Sequence, residues 1–472
     1  MTEAPPIPAG EIEPEASGSS AIRGDLTQGP IFRTLMLFSI PMLLANILQT
    51  LNGSVNAIWV GRLIGESALV ATANANLVMF LLFAAVFGFG MATTVRVGQH
   101  FGARKIDAAR SAFGTGVGFC VLLSAGVGLA GWLTTPWLLH LLGTPEASLL
   151  QAMAYLRVVF VTMPLGAAST MISMGLRGTG DSRTPLYAMI LTVALDIVLN
   201  PLLIRGLGPL PSLGIAGSAL ATAIANFAGC AYQVWRIYRR DLPLRLRGEE
   251  LGYLVPRREE LGYVVSKGLP MGAQMLISTS AGLVMIGLVN REGLNVAAAY
   301  GASLQLWNYL QMPAFALSSA VSAMVAQTIG ARDHARVDKV TRVGIASNLG
   351  LTSAIATLIV VFDHPLLALF LGGDSPAMPM AEHIQLICTT SFVIVSVTMV
   401  LIGTLRAYGV VMAPLVIMFL GLYPGRIGFY AIAYPYIGGE ALWWAYPIGS
   451  AVTVAVTVLY YRRGKWRRDE AL

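Results

Sequence analysis

The chain has 472 residues, 56% of them apolar and only 12% charged, with 31 Lys+Arg against 24 Asp+Glu. Soluble globular domains carry about 25% charged residues, so an ordinary soluble enzyme is excluded. The formal charge of +7 collects in loops between apolar stretches, and it therefore calls for no nucleic-acid partner.

Residues 1–30 are rich in Pro, Gly, Ser and Glu and lack basic residues followed by a short apolar run. They read as a tail, not a cleaved signal peptide. Beyond them, stretches free of Asp, Glu, Lys and Arg cover 34–61, 67–95, 111–145, 158–176 and 206–235, then 268–290, 293–331, 343–362, 383–405 and 441–461. Two more, 184–204 and 407–439, hold one charge each, Asp196 and Arg426. A membrane-crossing helix needs roughly 20 such residues, and twelve helices are predicted. Six lie near 35–58, 68–95, 111–135, 149–174, 185–205 and 214–237, and six near 264–290, 297–325, 342–362, 384–404, 411–433 and 441–461.

Alternate loops are basic, and together with the two ends they hold 26 of the 31 Lys and Arg. The positive-inside rule places that side, and both termini, in the cytoplasm. Cys120, Cys230 and Cys388 all fall in apolar stretches and read as small packing residues.

The two halves repeat. Gln99-x-x-Gly102-Ala103-Arg104 recurs as Gln327-x-x-Gly330-Ala331-Arg332, and Leu176-Arg177-x-x-Gly180 before Pro185-Leu186 recurs as Leu405-Arg406-x-x-Gly409 before Pro414-Leu415. Both motifs lie in equivalent loops of six-helix halves, so the repeats share a topology and are related by an axis along the membrane normal. That plan suits rocking of two lobes about a central site; a duplicated scaffold without transport is the plain alternative. The expected division is a tail at 1–34, an N-lobe at 35–237, a linker at 238–263, a C-lobe at 264–461 and a basic tail at 462–472.

The same residues carry a family resemblance. Ile40-Pro41, Leu48-Gln49 and Val55-Asn56-Ala57-Ile58-Trp59-Val60-Gly61 in helix 1, Gly98-Gln99-x-x-Gly102, and Leu176-Arg177-Gly178-Thr179-Gly180-Asp181-Ser182-Arg183-Thr184-Pro185 resemble multidrug and toxic compound extrusion (MATE) transporters, most closely the DNA-damage-inducible protein F (DinF-like) branch. The resemblance spans about residues 25–461. It implies an all-α polytopic fold of two six-helix bundles, and antiport of amphipathic, often cationic, small molecules against H⁺ or Na⁺. The expected setting is a bacterial-type inner membrane, the expected state a monomer among membrane lipids, and no cofactor is expected.

Asp196 is the one carboxylate well inside a predicted span, about 16 Å from Pro185 at 1.5 Å per residue. An Asp at mid-bilayer costs about 2.5–3.5 kcal/mol on insertion scales, which makes it a functional candidate. Desolvation favours the neutral form of a carboxyl group, the property a proton-coupling residue needs; a protonated side chain that only bonds between helices is the alternative. Asn200 follows by four residues and shares its helical face; it can donate to the carboxylate or accept from a substrate and is expected, with Thr222 and Asn226, on the cavity wall. Asn46, Gln49, Gly53 and Asn56 form a polar stripe on helix 1, facing a cavity or another helix, and Thr222 and Asn226 form a weaker one on helix 6. The resemblance assigns Gln49 and Asn56 to the wall of an N-lobe cavity, and Pro41 to a kink that changes with protonation; a static kink is the other reading.

Family members of the proton-coupled type carry Asn then Asp at four-residue spacing, and an Asp where this chain has Asn56; here the order is Asp196 then Asn200. One acid is thus expected to carry coupling. The Na⁺-type acids of the second half fall on Ser278 and about Val395, and H⁺ is preferred to Na⁺. The second half shows polar residues, Gln274, Ser278, Gln305, Asn308 and Gln311, but no buried acid, and Arg426 is expected to satisfy carbonyls or stabilise a bend, an anion contact being the alternative. Gly114-x-Gly116-x-Gly118 lacks the strand-turn-helix setting of a nucleotide loop and reads as helix packing. No nucleotide-binding Gly-x-x-x-x-Gly-Lys-Ser/Thr is present, and no intramembrane set of His, Glu or Asp suggests an enzyme or a metal site. A lipid or lipid-linked precursor flippase, or Na⁺-coupled export, is the alternative function.

Overall fold

A charge-free backbone in hydrocarbon can satisfy its N–H and C=O groups only within itself, which forces helices. The computed structural model describes residues 24–141, 146–206 and 212–468 and contains no strand among them. Most of the expected N-terminal tail therefore lies outside the described residues, as do 469–472 of the basic tail. The helices are α1 (Ile31–Leu63), α2 (Glu66–Gly102), α3 (Ile106–Leu141), α4 (Glu146–Gly178), α5 (Arg183–Arg205), α6 (Ile215–Arg239), α7 (Arg258–Asn290), α8 (Leu294–Gly330), α9 (His334–Val361), α10 (Asp363–Leu371), α11 (Met378–Ala407), α12 (Met412–Ile437) and α13 (Glu440–Arg462). All but α10 are long and apolar enough to cross a bilayer, giving twelve candidate spans.

Several helices run past the ends predicted from charge. The second ends at Gly102 and not 95, and the seventh begins at Arg258 and not 264. Charge-free length measures the hydrocarbon-facing portion of a helix, while backbone hydrogen bonding carries it on into the polar interface.

Helices α1–α6 form one bundle and α7–α13 the other. In the first, α4 packs on α2, α3 and α6, while α5 lies between α1 and α6; in the second, α11 packs on α8, α9 and α13. The bundles touch through α2 against α7 and α8. Glycines permit that approach: a Cβ on Gly88 would stand 2.4 Å from the Gly268 carbonyl oxygen.

The repeated loop motifs meet each other across the pseudo-two-fold axis. Gln99 Nε2 donates to the Ala407 carbonyl at the end of α11 (2.8 Å), and Gln327 Nε2 donates to the Gly178 carbonyl at the end of α4 (2.9 Å). Each glutamine thus caps the last turn of a helix in the opposite bundle, where carbonyls lack intrahelical partners. Gly102 and Gly330 face the same seam; a Cβ on either would lie 1.9 Å from the Gln327 carbonyl oxygen or 2.0 Å from that of Gln99. Leu26 N donates to Gln327 Oε1 (2.9 Å), so the segment before α1 adds to the seal. At the basic end of the molecule the two bundles are closed on each other.

The segment between the bundles is anchored to the first. Leu242, Leu244 and Leu246 are buried, and a 3₁₀ turn at Gly248–Leu254 lies on α3. Gly114 and Gly118 make room for it: a Cβ on Gly118 would sit 1.8 Å from the Leu254 carbonyl oxygen. Gly116 instead faces Thr93 of α2 and Met171 of α4. Arg110 ties the segment down through Glu250 (2.7 Å) and the Pro243 carbonyl (2.9 Å).

No acid is buried within residues 264–461, as expected, but one is buried just before them, in the stretch assigned to the linker. Glu260, in the first turn of α7, is held by Arg96 Nε (3.0 Å) and His100 Nε2 (3.2 Å) of α2. It precedes the charge-free stretch that marks the span in the sequence. Arg426 lies in a π-helical stretch of α12, Gly421–Gly428, with its guanidinium 4.2 Å from the centre of the Tyr446 ring. Its Nε is buried without a hydrogen-bond partner, so ring stacking, not carbonyl satisfaction, is its observed contact.

Candidate functional site

The four-residue spacing of Asp196 and Asn200 places both on the face of α5 that packs between α1 and α6, and both are fully buried. Helix α1 presents a second pair at the same spacing, Asn52 and Asn56, and α6 presents Thr222. Four side-chain donors converge on the Asp196 carboxylate. Asn52 Nδ2 and Asn56 Nδ2 reach Oδ2 at 2.7 and 2.8 Å. Asn200 Nδ2 and Thr222 Oγ1 reach Oδ1 at 2.9 and 3.0 Å. Asn200 Nδ2 also donates to Asn56 Oδ1 at 3.0 Å, joining α5 to α1 directly.

An ionised carboxylate only accepts, with about four lone-pair sites, and the four donors match that capacity. Among the described residues no Lys, Arg or His bonds to it. Hydrogen bonds to a charged group contribute about 1.5–3 kcal/mol each, against a desolvation penalty of several kcal/mol for a buried ion. The four bonds oppose that penalty.

The cluster leaves two acceptors over: Asn52 Oδ1 and Asn200 Oδ1 are buried and without a hydrogen-bond partner. Buried polar atoms are nearly always paired. Both amides face the carboxylate through Nδ2, so either oxygen could accept a proton placed there only after its amide turns.

Beside the cluster lies a cavity of about 420 Å³ within the first bundle. Gln49, Thr222 and Asn226 stand on its wall together with Asn46, Tyr155 and Arg177. Thr222 therefore touches both the cavity and the carboxylate. Asn56 and Asn200, expected on the wall, are absent from it and belong to the ring of side chains around Asp196. Pro41 is buried in α1, eleven residues before Asn52 and outside the cluster; the helix continues through it although it offers no N–H to the Leu37 carbonyl.

Asn52 was not singled out by the sequence reading. The stripe through Asn46, Gln49, Gly53 and Asn56 drew the face of α1 a little to one side of it, although its spacing of four from Asn56 repeats that of Asp196 and Asn200. In the second bundle Gln274 is occupied, accepting from Arg406 Nη2 at 2.6 Å and donating to the Val411 carbonyl at 3.2 Å. No cluster of three or more potential metal ligands occurs among the described residues.

Comparison with known proteins adds an independent line. The MatE family matches this chain twice, over residues 41–202 and 270–431. The chain is 32% identical over 450 residues to the probable multidrug resistance protein YoeA of Bacillus subtilis, covering 95% of this chain and 97% of that protein. It is 29% identical to the probable multidrug resistance protein YpnP of the same organism, over 94% and 97% of the two chains. A crystal structure of MATE in complex with MaL6 superposes with a TM-score of 0.86 at 21% identity, covering 95% of this chain and all of that one.

Proposed function

The chain belongs to the MatE family of multidrug transporters, and from that premise we propose that it exports amphipathic small molecules in exchange for protons, with Asp196 as the coupling residue. It is a multi-pass membrane transporter and not an enzyme. The finer reading also places both termini in the cytoplasm, the protein in an inner membrane, and its working unit as a monomer. Its DinF-like character rests on the loop and helix 1 motifs.

The observation that carries the reading is the ring of four donors with two unpaired acceptors. While Asp196 is ionised, every donor is satisfied. Protonation turns one carboxylate oxygen into a donor, and one side chain must then turn an oxygen toward it. Thr222 can do so by rotating its hydroxyl; the asparagines must turn their amides. Two of the three asparagines stand on α1, so α1 is the helix whose packing registers the proton, and Pro41 gives it a point of weak backbone bonding at which to yield. Thr222 transmits the same event to the cavity wall that cargo touches. Cargo and proton then bind unequally to the two states, which is the condition for coupling.

The donor set also favours H⁺ over Na⁺. Hard cations are bound by converging oxygen atoms, whereas three amide N–H₂ groups and one hydroxyl donate to this carboxylate. In proteoliposomes, an imposed pH gradient should drive cargo flux at the same rate with and without Na⁺, and a Na⁺ gradient alone should drive none. Flux that follows Na⁺ at constant pH would overturn the proton assignment.

A further inference from the structure

We infer that the cavity of the first bundle selects amphipathic anions, an aromatic or apolar body bearing one carboxylate, sulfonate or phosphate group that pairs with Arg177. The inference rests on this cavity being the cargo site, as proposed above, and it adds the charge of the cargo.

Arg177 is the one charged residue on the described cavity wall, and no Asp or Glu stands there. Asp196 is fully buried behind Thr222. Along α5 it lies eleven residues from Pro185, which shares the wall with Arg177, or about 16 Å of helix rise. The other nearby acid, Asp181, is engaged by the backbone N–H groups of Arg183 and Thr184 and by the Thr184 hydroxyl. Neither acid is bonded to Arg177.

The guanidinium itself is unpaired. Its Nε is buried with no partner, and the contact of Nη1 is Met174 Sδ at 3.9 Å. Arg177 is part-buried and open to the cavity, and a cation withdrawn from bulk water without a partner keeps part of its desolvation cost. The repeat supplies an internal comparison: Arg406, the equivalent residue of the second bundle, also has an unpaired Nε, but its Nη2 reaches Gln274 Oε1 at 2.6 Å. One arginine of the pair is used by the protein and the other faces a cavity.

The rest of the wall fits the remainder of such a molecule. Ser173 and Gln233, bonded to each other at 2.9 Å, flank Arg177, while Met79, Phe83, Phe87, Tyr155 and Met163 supply adaptable apolar surface. A guanidinium offers five donors in a planar fork that suits acidic groups bidentately. An anion seated on Arg177 with its body along the cavity would end near Thr222, where the proton is sensed.

The test compares two dyes with the same fluorophore, dansylglycine (anionic) and dansylcadaverine (cationic), by equilibrium binding to the full chain in detergent. The wild type should bind dansylglycine at least about tenfold more tightly, and Arg177→Gln should remove about tenfold of that affinity, equivalent to about 1.4 kcal/mol. The same change should leave dansylcadaverine within about threefold, and Arg177→Lys should restore part of the anion affinity. Tighter binding of the cation by the wild type, absence of binding by both dyes, or an equal loss of both in Arg177→Gln would overturn the inference. Ala167→Trp, which fills the cavity, separates the two levels: if dye binding survives it, the cavity is not the cargo site and the proposed function fails first.

Discussion

Asp196→Asn is expected to abolish gradient-driven transport while leaving a folded protein. Asn has nearly the shape of Asp, but it presents one acceptor oxygen and one N–H₂ group to a ring built of donors. Where Asn52, Asn56, Asn200 and Thr222 now converge on two acceptor oxygens, one donor would meet another, and a neighbouring amide must turn to present its oxygen. The substitution therefore holds the cluster near its protonated arrangement at every pH. A change that cannot be reversed cannot couple two fluxes, and pH-driven flux should fall by about a hundredfold, corresponding to about 2.7 kcal/mol. Gradient-independent exchange of cargo should survive, because the cavity wall is retained. Full proton-driven flux in this variant would reduce Asp196 to a structural hydrogen bond between helices.

The second large effect concerns the seam between the bundles. Gly102→Val would bring its Cβ to 1.9 Å from the Gln327 carbonyl oxygen and 2.6 Å from the carbonyl carbon, backbone atoms that cannot swing away. Overpacking of a tight core commonly costs about 1–3 kcal/mol, and the upper part of that range is about a hundredfold in a two-state equilibrium. Helix α2 itself carries Val without strain at this position, so the cost falls on the closed arrangement of the basic end. The bundles should part there, and transport should drop because the cycle can no longer return to the sealed state. A cysteine placed at Ala326, buried opposite Gly98, should then react with a water-soluble maleimide about tenfold or more faster. Unchanged labelling with normal transport would show that the seam is not a gate. The three native cysteines are buried and should give little background.

Much of this design is visible in the sequence because hydrocarbon is a severe solvent. Twelve spans follow from missing charges, and Asp196 stands out because a carboxylate in a span has so few explanations. The repeat also shows, since Gln99 and Gly102 recur as Gln327 and Gly330. What the sequence does not contain is how the motifs meet. Nothing in the spacing says that each glutamine reaches into the opposite bundle, to Gly178 or Ala407, rather than capping its own helix.

Polar stripes suffer from the same limit. On α1, Asn46, Gln49, Asn52, Gly53 and Asn56 define a face about a third of the circumference wide, and only the packing against α5 selects Asn52 and Asn56 for the carboxylate. Gln49 and Asn46 are left to the cavity. Arg177 reads as a topology signal, a base at the end of a span; that Asp181 is bonded by Arg183 and Thr184 instead, and that Arg177 stands on a cavity wall, are tertiary facts. Glu260 was hidden by the rule that found the spans, because a charge at a helix end counts as loop until the helix is seen to continue past it.

The most direct test of the account is proton release on cargo binding, measured with a pH indicator in weakly buffered detergent solution of the purified chain. On the proposed coupling, cargo and proton compete through one carboxyl group, so saturating cargo should release up to one proton per chain, and Asp196→Asn should release none. Release of the same size from the variant, or none from the wild type at any pH where cargo binds, would contradict coupling through Asp196.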